Sequence, residues 1–140
     1  MRGVGLDIGT MNIVSSRSNG GKEIHHERIR DAFLDVPISA KKMLKLHADV
    51  SYIEEEDLLL IVGDHALEMA AVFGRKARRP LKKGLINPQE IGSLDVLAYM
   101  IKQILGEPKE PNEVCYFSVP AAPIDGDANV IYHKGVFERI

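Results

Sequence analysis

The chain has 140 residues, of which 45% are hydrophobic and 27% charged, with a net charge of −2. That length suffices for one ordinary domain, and the charge gives no global pull toward nucleic acid or a membrane surface. A single cysteine, Cys115, excludes an internal disulfide and a CxxC metal site; with no run of 18 apolar residues and no charged-then-apolar leader, a cytoplasmic protein without a membrane span is expected.

In the opening stretch, GVGLDIGTMNIV, Val4, Leu6 and Ile8 alternate with Gly3, Gly5, Asp7 and Gly9. This period of two predicts a buried strand carrying Asp7 near its end, a tight turn over Gly9 to Met11, and a second strand from Asn12. Consecutive backbone N–H groups in such a turn hold phosphate oxygens, and a nearby carboxylate holds a hydrated magnesium ion. GxxxxGK[ST] is absent, and the glycines lack the G-x-G-x-x-G spacing. Taken alone, a hairpin of this kind is more often plain structure than a phosphate site.

Ser18 to Lys22 is a second turn signal, and Glu23 to Ile29 reads as a third antiparallel strand. His25 and His26 face opposite sides of that strand, and His47, His65 and His133 are scattered, so no histidine metal site is predicted. From Asp31 to Val50 the pattern is irregular: Pro37 fixes an extended segment, and AKKMLKLHA reads as a short helix with Met43, Leu44 and Leu46 inward. Val50, Tyr52 and Ile53, then Leu58 to Val62, read as a hairpin with a solvated tip, Glu54 to Asp57, which lacks the spacing of a calcium loop. A helix is predicted from Asp64, its N-cap, to Val72, with Ala66, Leu67, Met69 and Ala70 inward.

RKARRPLKK, from Arg75 to Lys83, is the one strongly basic stretch. No aromatic residue interleaves with its cations to stack on bases, so a solvated loop or subunit contact is expected rather than a nucleic-acid grip. Asn87-Pro88-Gln89-Glu90 has the form of a capping box, with Asn87 as N-cap, ahead of a stripe of Ile91, Leu94, Ala98, Ile101 and Leu105 that Gly106 ends. Glu107 to Pro111 is a rigid connector, and Val114 to Val119, apolar on both faces, is predicted as a central strand in which Cys115 is a small buried hydrophobe. A last helix is predicted from Asp127, with Val130, His133, Phe137 and Ile140 on one side. Its apolar periodicity is cut off at Ile140, which predicts an N-terminal fragment; a natural mini-protein is the alternative.

VGLDIGTMNIV resembles the first phosphate motif of the actin, heat-shock chaperone and sugar-kinase ATPase superfamily, and is most similar to bacterial actin-like proteins of the rod-shape (MreB) type. VGDHALEM at Val62 to Met69, RPLKKGLI at Arg79 to Ile86, and SVPAAPID at Ser118 to Asp125 follow in the family's order. The resemblance implies an α/β fold, the ribonuclease-H-like first domain of an actin-like ATPase. Residues 1–30 and 79–140 would form its core subdomain and 31–78 a small inserted α+β subdomain, with RPLKKG crossing between them and Arg79 and Lys82 in structural roles.

It also implies ATP and Mg2+ as cofactors. Asp7 would bind the metal through water, and the amides of Gly9, Thr10, Met11 and Asn12 would touch the β- and γ-phosphates. Asp125, the fifth residue after Val119-Pro120, would be the catalytic carboxylate that orients the attacking water. Without the resemblance, Asp125 and Asp127 read as caps of the last helix. Met11 departs from the family's usual small residue, Pro123 from the commoner forms of its segment, and IVSSRS has no counterpart of the lysine that actin carries on its second strand. That lysine is normally absent from the rod-shape branch, and Arg17 lies too far along to replace it.

The second phosphate loop and the adenosine site belong to a second domain outside this sequence, so feeble nucleotide binding, negligible turnover and some self-association are expected of the chain. The alternatives for the parent are a filament-forming scaffold and a chaperone or enzyme-reactivating factor; a nucleotide-free interaction module is the third.

Overall fold

The computed structural model of the chain describes residues 3–18, 20–47, 49–90, 92–119 and 127–140. Strands β1 (Gly3–Ile8) and β2 (Asn12–Ser18) form the predicted hairpin, with Ile8 opposite Ile13 and Asp7 opposite Val14. β3 (Ile24–Arg30) continues the antiparallel run, placing Arg28 opposite Val14. A later strand, Val114–Phe117, pairs with β1 in parallel, which requires a long crossover.

That crossover carries the second sheet. Phe33–Pro37 (β4), Tyr52–Glu54 (β5) and Leu58–Val62 (β6) assemble antiparallel in the order β4-β6-β5. Both faces of this sheet are covered. Phe33, Leu60 and Val62 join the core of the first sheet, whereas Leu34, Val36, Leu59 and Ile61 pack with Leu44, Ala66 and Met69. Leu44 comes from α1 (Lys41–Leu44), and Ala66 and Met69 come from α2 (Asp64–Val72). Each of these side chains larger than alanine, fully removed from water, contributes about 1.5–3 kcal/mol.

Next comes a small hairpin, β7 (Leu81–Lys82) with β8 (Leu85–Ile86), and then α3 (Ser93–Leu105). The strand Val114–Phe117 is therefore β9, and α4 (Asp127–Arg139) follows it. The first sheet has the order β3-β2-β1-β9. Leu6, Ile8 and Ile13 on one face meet Val96, Leu97, Met100, Ile101 and Ile104 of α3 and Val136 and Phe137 of α4. Phe117 meets Phe137 edge-on at 6.0 Å on that same face. Alternation along the strands puts Asp7, Val14, Tyr116 and Arg28 on the opposite face, where Asp7, Tyr116 and Arg28 are exposed.

Several expectations change. β9 is an edge strand, not a central one: it pairs only with β1 among the described residues, and Tyr116 is 67% exposed. Cys115 on it is half-buried, and desolvation raises its thiol pKa. The segment around Pro37 is a buried strand rather than an irregular one. Leu46 lies beyond α1, 84% exposed, and Leu67 on α2 is 40% exposed.

Helix starts differ as well. Gly63, at φ 74°, is the N-cap of α2, and Asp64 is its first residue. A Cβ on Gly63 would stand 2.9 Å from Ile29 Cγ1, so glycine is required there for both conformation and space. The Asn87 side chain accepts from the Gln89 N–H at 3.1 Å, forming a local turn, and α3 starts six residues later behind Gly92 at φ 81°. Its buried stripe is Val96, Leu97, Met100, Ile101 and Ile104; of the predicted stripe only Ile101 belongs to it, and Ile91 lies outside the described residues.

Candidate phosphate turn

The turn between β1 and β2 is closed by the Gly9 N–H, which donates to the Asn12 carbonyl at 3.0 Å. A Cβ on Gly9 would come within 2.9 Å of that same oxygen, so the close approach depends on glycine. The amides of Thr10 and Met11, at the tip, have no hydrogen-bond partner among the described residues. Of the four predicted phosphate-binding positions, Gly9 thus uses its N–H within the turn, Thr10 and Met11 leave theirs unpartnered among the described residues, and Asn12 is the first residue of β2. Met11 itself is 55% exposed at the tip.

Asp7 stands just before the turn on the open face. Its Oδ1 accepts the Ser118 hydroxyl at 2.7 Å; Ser118 Oγ accepts the Ile8 N–H at 3.3 Å, and the Ser118 N–H donates to the Leu6 carbonyl at 3.0 Å. Ser118, just past β9, therefore fixes the carboxylate against β1. One oxygen of Asp7 is held and the other is free of protein donors among the described residues. No three His, Cys, Asp or Glu side chains gather into a metal cluster among the described residues. A cation here would rest on Asp7 and on ligand oxygens, which suits magnesium bound by one carboxylate, water and phosphate. The donors present fit that ion.

Behind the turn the arrangement is different. Arg79 Nη1 donates to the carbonyls of Thr10 at 3.1 Å and Asp31 at 3.2 Å, with Met11 O at 3.5 Å. The Asp31 N–H donates to Met11 O at 3.0 Å. Asp31 is completely buried, and neither carboxylate oxygen has a hydrogen-bond partner among the described residues. Burial pushes its pKa up to about 7 against the opposing charge of Arg79. The β7–β8 hairpin adds one more fastening, as the Gly84 N–H donates to Thr10 Oγ1 at 2.7 Å.

The basic stretch is in part the expected solvated loop, with Arg75, Lys76, Lys82 and Lys83 exposed, but its arginines are also tied to the fold. Arg75 and Arg78 pair with Asp35 at 2.8 and 3.0 Å, Arg78 also reaches Glu90 at 3.2 Å and covers the Phe33 ring at 4.7 Å, and Arg79 holds the turn. Lys82 and Lys83 remain exposed. They line a cavity of about 800 Å3 between the β7–β8 hairpin, the start of α3 and α4. His133 borders it, its Nε2 accepting the Ile86 N–H at 2.9 Å. This hollow has neither Asp7 nor the unpartnered amides in its lining. Asp125 and its segment, residues 120–126, lie outside the described residues.

Sequence reading missed Ser118 as a partner of Asp7 and Asp31 as a buried acid; Arg79, expected in a structural role, has one, on the backbone carbonyls behind the turn. The only available signal was the position of Ser118 directly before Val119-Pro120.

The family model for Volactin matches residues 2–140. No curated protein matches. Among solved structures, the chain is similar to one of the MamK double helical filament, at a TM-score of 0.66 and 19% identity. The similarity covers 99% of this chain and 38% of the MamK chain. The mixed α/β fold is thus that of part of the MamK chain. No described helix is long and apolar enough to cross a membrane.

Proposed function

We propose that this chain, which belongs to the Volactin family, supplies the first phosphate- and magnesium-holding half of an actin-type nucleotide cleft. The observation that carries the reading is the pairing of two unpartnered amides at the turn, Thr10 and Met11, with an exposed Asp7, held by Ser118, just before that turn. Amides at a turn stabilise phosphate oxygens by direct N–H donation. A bound magnesium ion supplies charge neutralisation on the phosphates.

In this reading residues 31–78 form the inserted subdomain, and Asp125 is the carboxylate that orients water once a second half closes the cleft. The parent is an ATPase, and the isolated chain binds nucleotide weakly because the opposing phosphate loop and the base site are outside it. Likeness in fold to the MamK filament supports a filament-forming parent over a chaperone or reactivating factor.

Calorimetric titration with Mg·ATP tests the half-site. Saturable binding at high micromolar to millimolar Kd is expected, corresponding to about 4–6 kcal/mol. Asp7→Ala should weaken it at least tenfold. Absence of binding by the wild-type chain, or identical binding by Asp7→Ala, would overturn the reading.

A further inference from the structure

β2 presents no cation toward the turn: Val14 stands opposite Asp7, and Arg17, further along, donates to the Leu105 carbonyl at 3.1 Å and pairs with Glu113 at 3.1 Å. The neighbouring strand supplies one. Arg28 on β3 is in register with Val14, so Asp7, Val14 and Arg28 form a row across three strands on the open face. Adjacent strands lie about 4.8 Å apart, which separates the Asp7 and Arg28 backbones by about 10 Å. That gap, floored by Val14, leaves room for a phosphate and its metal between a carboxylate and a guanidinium.

The guanidinium is aimed toward the turn. Arg28 Nη1 donates to Asn12 Oδ1 at 2.9 Å, a neutral acceptor on the residue that follows the Thr10 and Met11 amides. No described acid pairs with Arg28. The other arginines around the turn are engaged: Arg30 faces Asp64 at 3.7 Å, and Arg79 lies behind the turn on backbone carbonyls. A solvated arginine on an edge strand commonly serves only to discourage strand pairing. Here its register with Asp7 and its fixation by Asn12 give it a further use.

We infer that Arg28, held by Asn12, is the cationic phosphate contact of this half-site, reaching the polyphosphate of a nucleotide from β3. The inference rests on the nucleotide reading above. Arginine suits the role because its planar fork holds two phosphate oxygens at once and stays charged at any working pH.

The test is a titration of the chain with Mg·ATP and with Mg·pyrophosphate. Wild type, Arg28→Gln, Arg28→Lys and Lys22→Gln are compared at one salt concentration. Lys22→Gln makes the same charge change at the opposite end of the β2–β3 hairpin and reports the effect of net charge alone. Arg28→Gln should weaken both ligands about tenfold, the scale of one charge-assisted contact. Arg28→Lys should recover part of that loss, and Lys22→Gln should match wild type. Because Arg28 is exposed, thermal midpoints should coincide, which separates a lost contact from a lost fold.

Arg28→Gln binding as wild type does, while Asp7→Ala is impaired, would overturn the role of Arg28 and leave the half-site standing. Equal weakening by Lys22→Gln would reduce Arg28 to background charge. A loss with Mg·ATP but none with Mg·pyrophosphate would move the contact to the nucleoside and overturn the assignment to phosphate. If wild type binds neither ligand, the half-site reading fails and Arg28 loses its role with it.

Discussion

On the front of the β1–β2 turn Asp7 stands in solvent, one oxygen taken by the Ser118 hydroxyl at 2.7 Å. At the back Asp31 is shut away with neither oxygen bonded among the described residues, and its pKa rises to about 7. The same side chain thus occupies two opposite environments within one short stretch of structure. Water and a hydroxyl donor leave the front carboxylate able to meet a cation. At the back, desolvation disfavours charge, and the compensation is the Arg79 guanidinium, which also grips the turn's carbonyls. In the proposed reading ligand chemistry belongs to the front, and the stability of the turn depends on the back.

Removing the back's cation should have the largest effect. Arg79→Met leaves Asp31 without its opposing charge and the Thr10 and Asp31 carbonyls without their arginine donor, and about 4 kcal/mol of unfolding free energy should be lost in urea denaturation at pH 8. A loss under about 1 kcal/mol would show that the back of the turn is not held this way. Next is Asp31→Asn. Since the folded-state pKa of about 7 exceeds the ordinary 3.8, the folded chain binds the proton more tightly than the unfolded one. Stability from this group is complete below about pH 4 and is lost as pH rises to about 7. Asp31→Asn should therefore gain up to about 4 kcal/mol at pH 8 and flatten that slope, read from urea midpoints between pH 4 and 8.

On the front the effects on stability shrink. Ser118→Ala should cost about 1 kcal/mol through the lost hydroxyl contact, and it should weaken Mg·ATP binding severalfold because Asp7 is no longer oriented. Smallest is Asp7→Asn, which should change the thermal midpoint by no more than about 0.5 kcal/mol would produce, while impairing Mg·ATP binding strongly. A large stability change for Asp7→Asn would erase the contrast between the two carboxylates.

Local pattern made the front readable. Alternation in GVGLDI, followed by glycine and a β-branched run, specified the hairpin and put Asp7 at its end, and the structure has that hairpin. Its partner was not readable, because Ser118 lies 111 residues away and meets Asp7 only when β9 pairs with β1. Arg79 and Asp31 were hidden for the same reason, since a cation 48 residues downstream looks like one more charge in a basic run. Arg28 could be assigned to a face only after the register of β3 was known.

Errors at the helix starts had a different origin. Asn87-Pro88-Gln89-Glu90 satisfies the pattern of a capping box, yet the Asn87 side chain closes a turn with Gln89, and the helix waits for Gly92 in the left-handed conformation. Apolarity on both faces suggested a central β9, whereas its second face carries an exposed Tyr116 at an edge.

The most direct test of the central claim follows backbone amide resonances of the chain while Mg·ATP is added. The account predicts saturable shifts at Asp7, Thr10, Met11 and Ser118, with residues lining the cavity between the β7–β8 hairpin and α4 unmoved. Shifts confined to that cavity, or none at the turn under millimolar nucleotide, would contradict it.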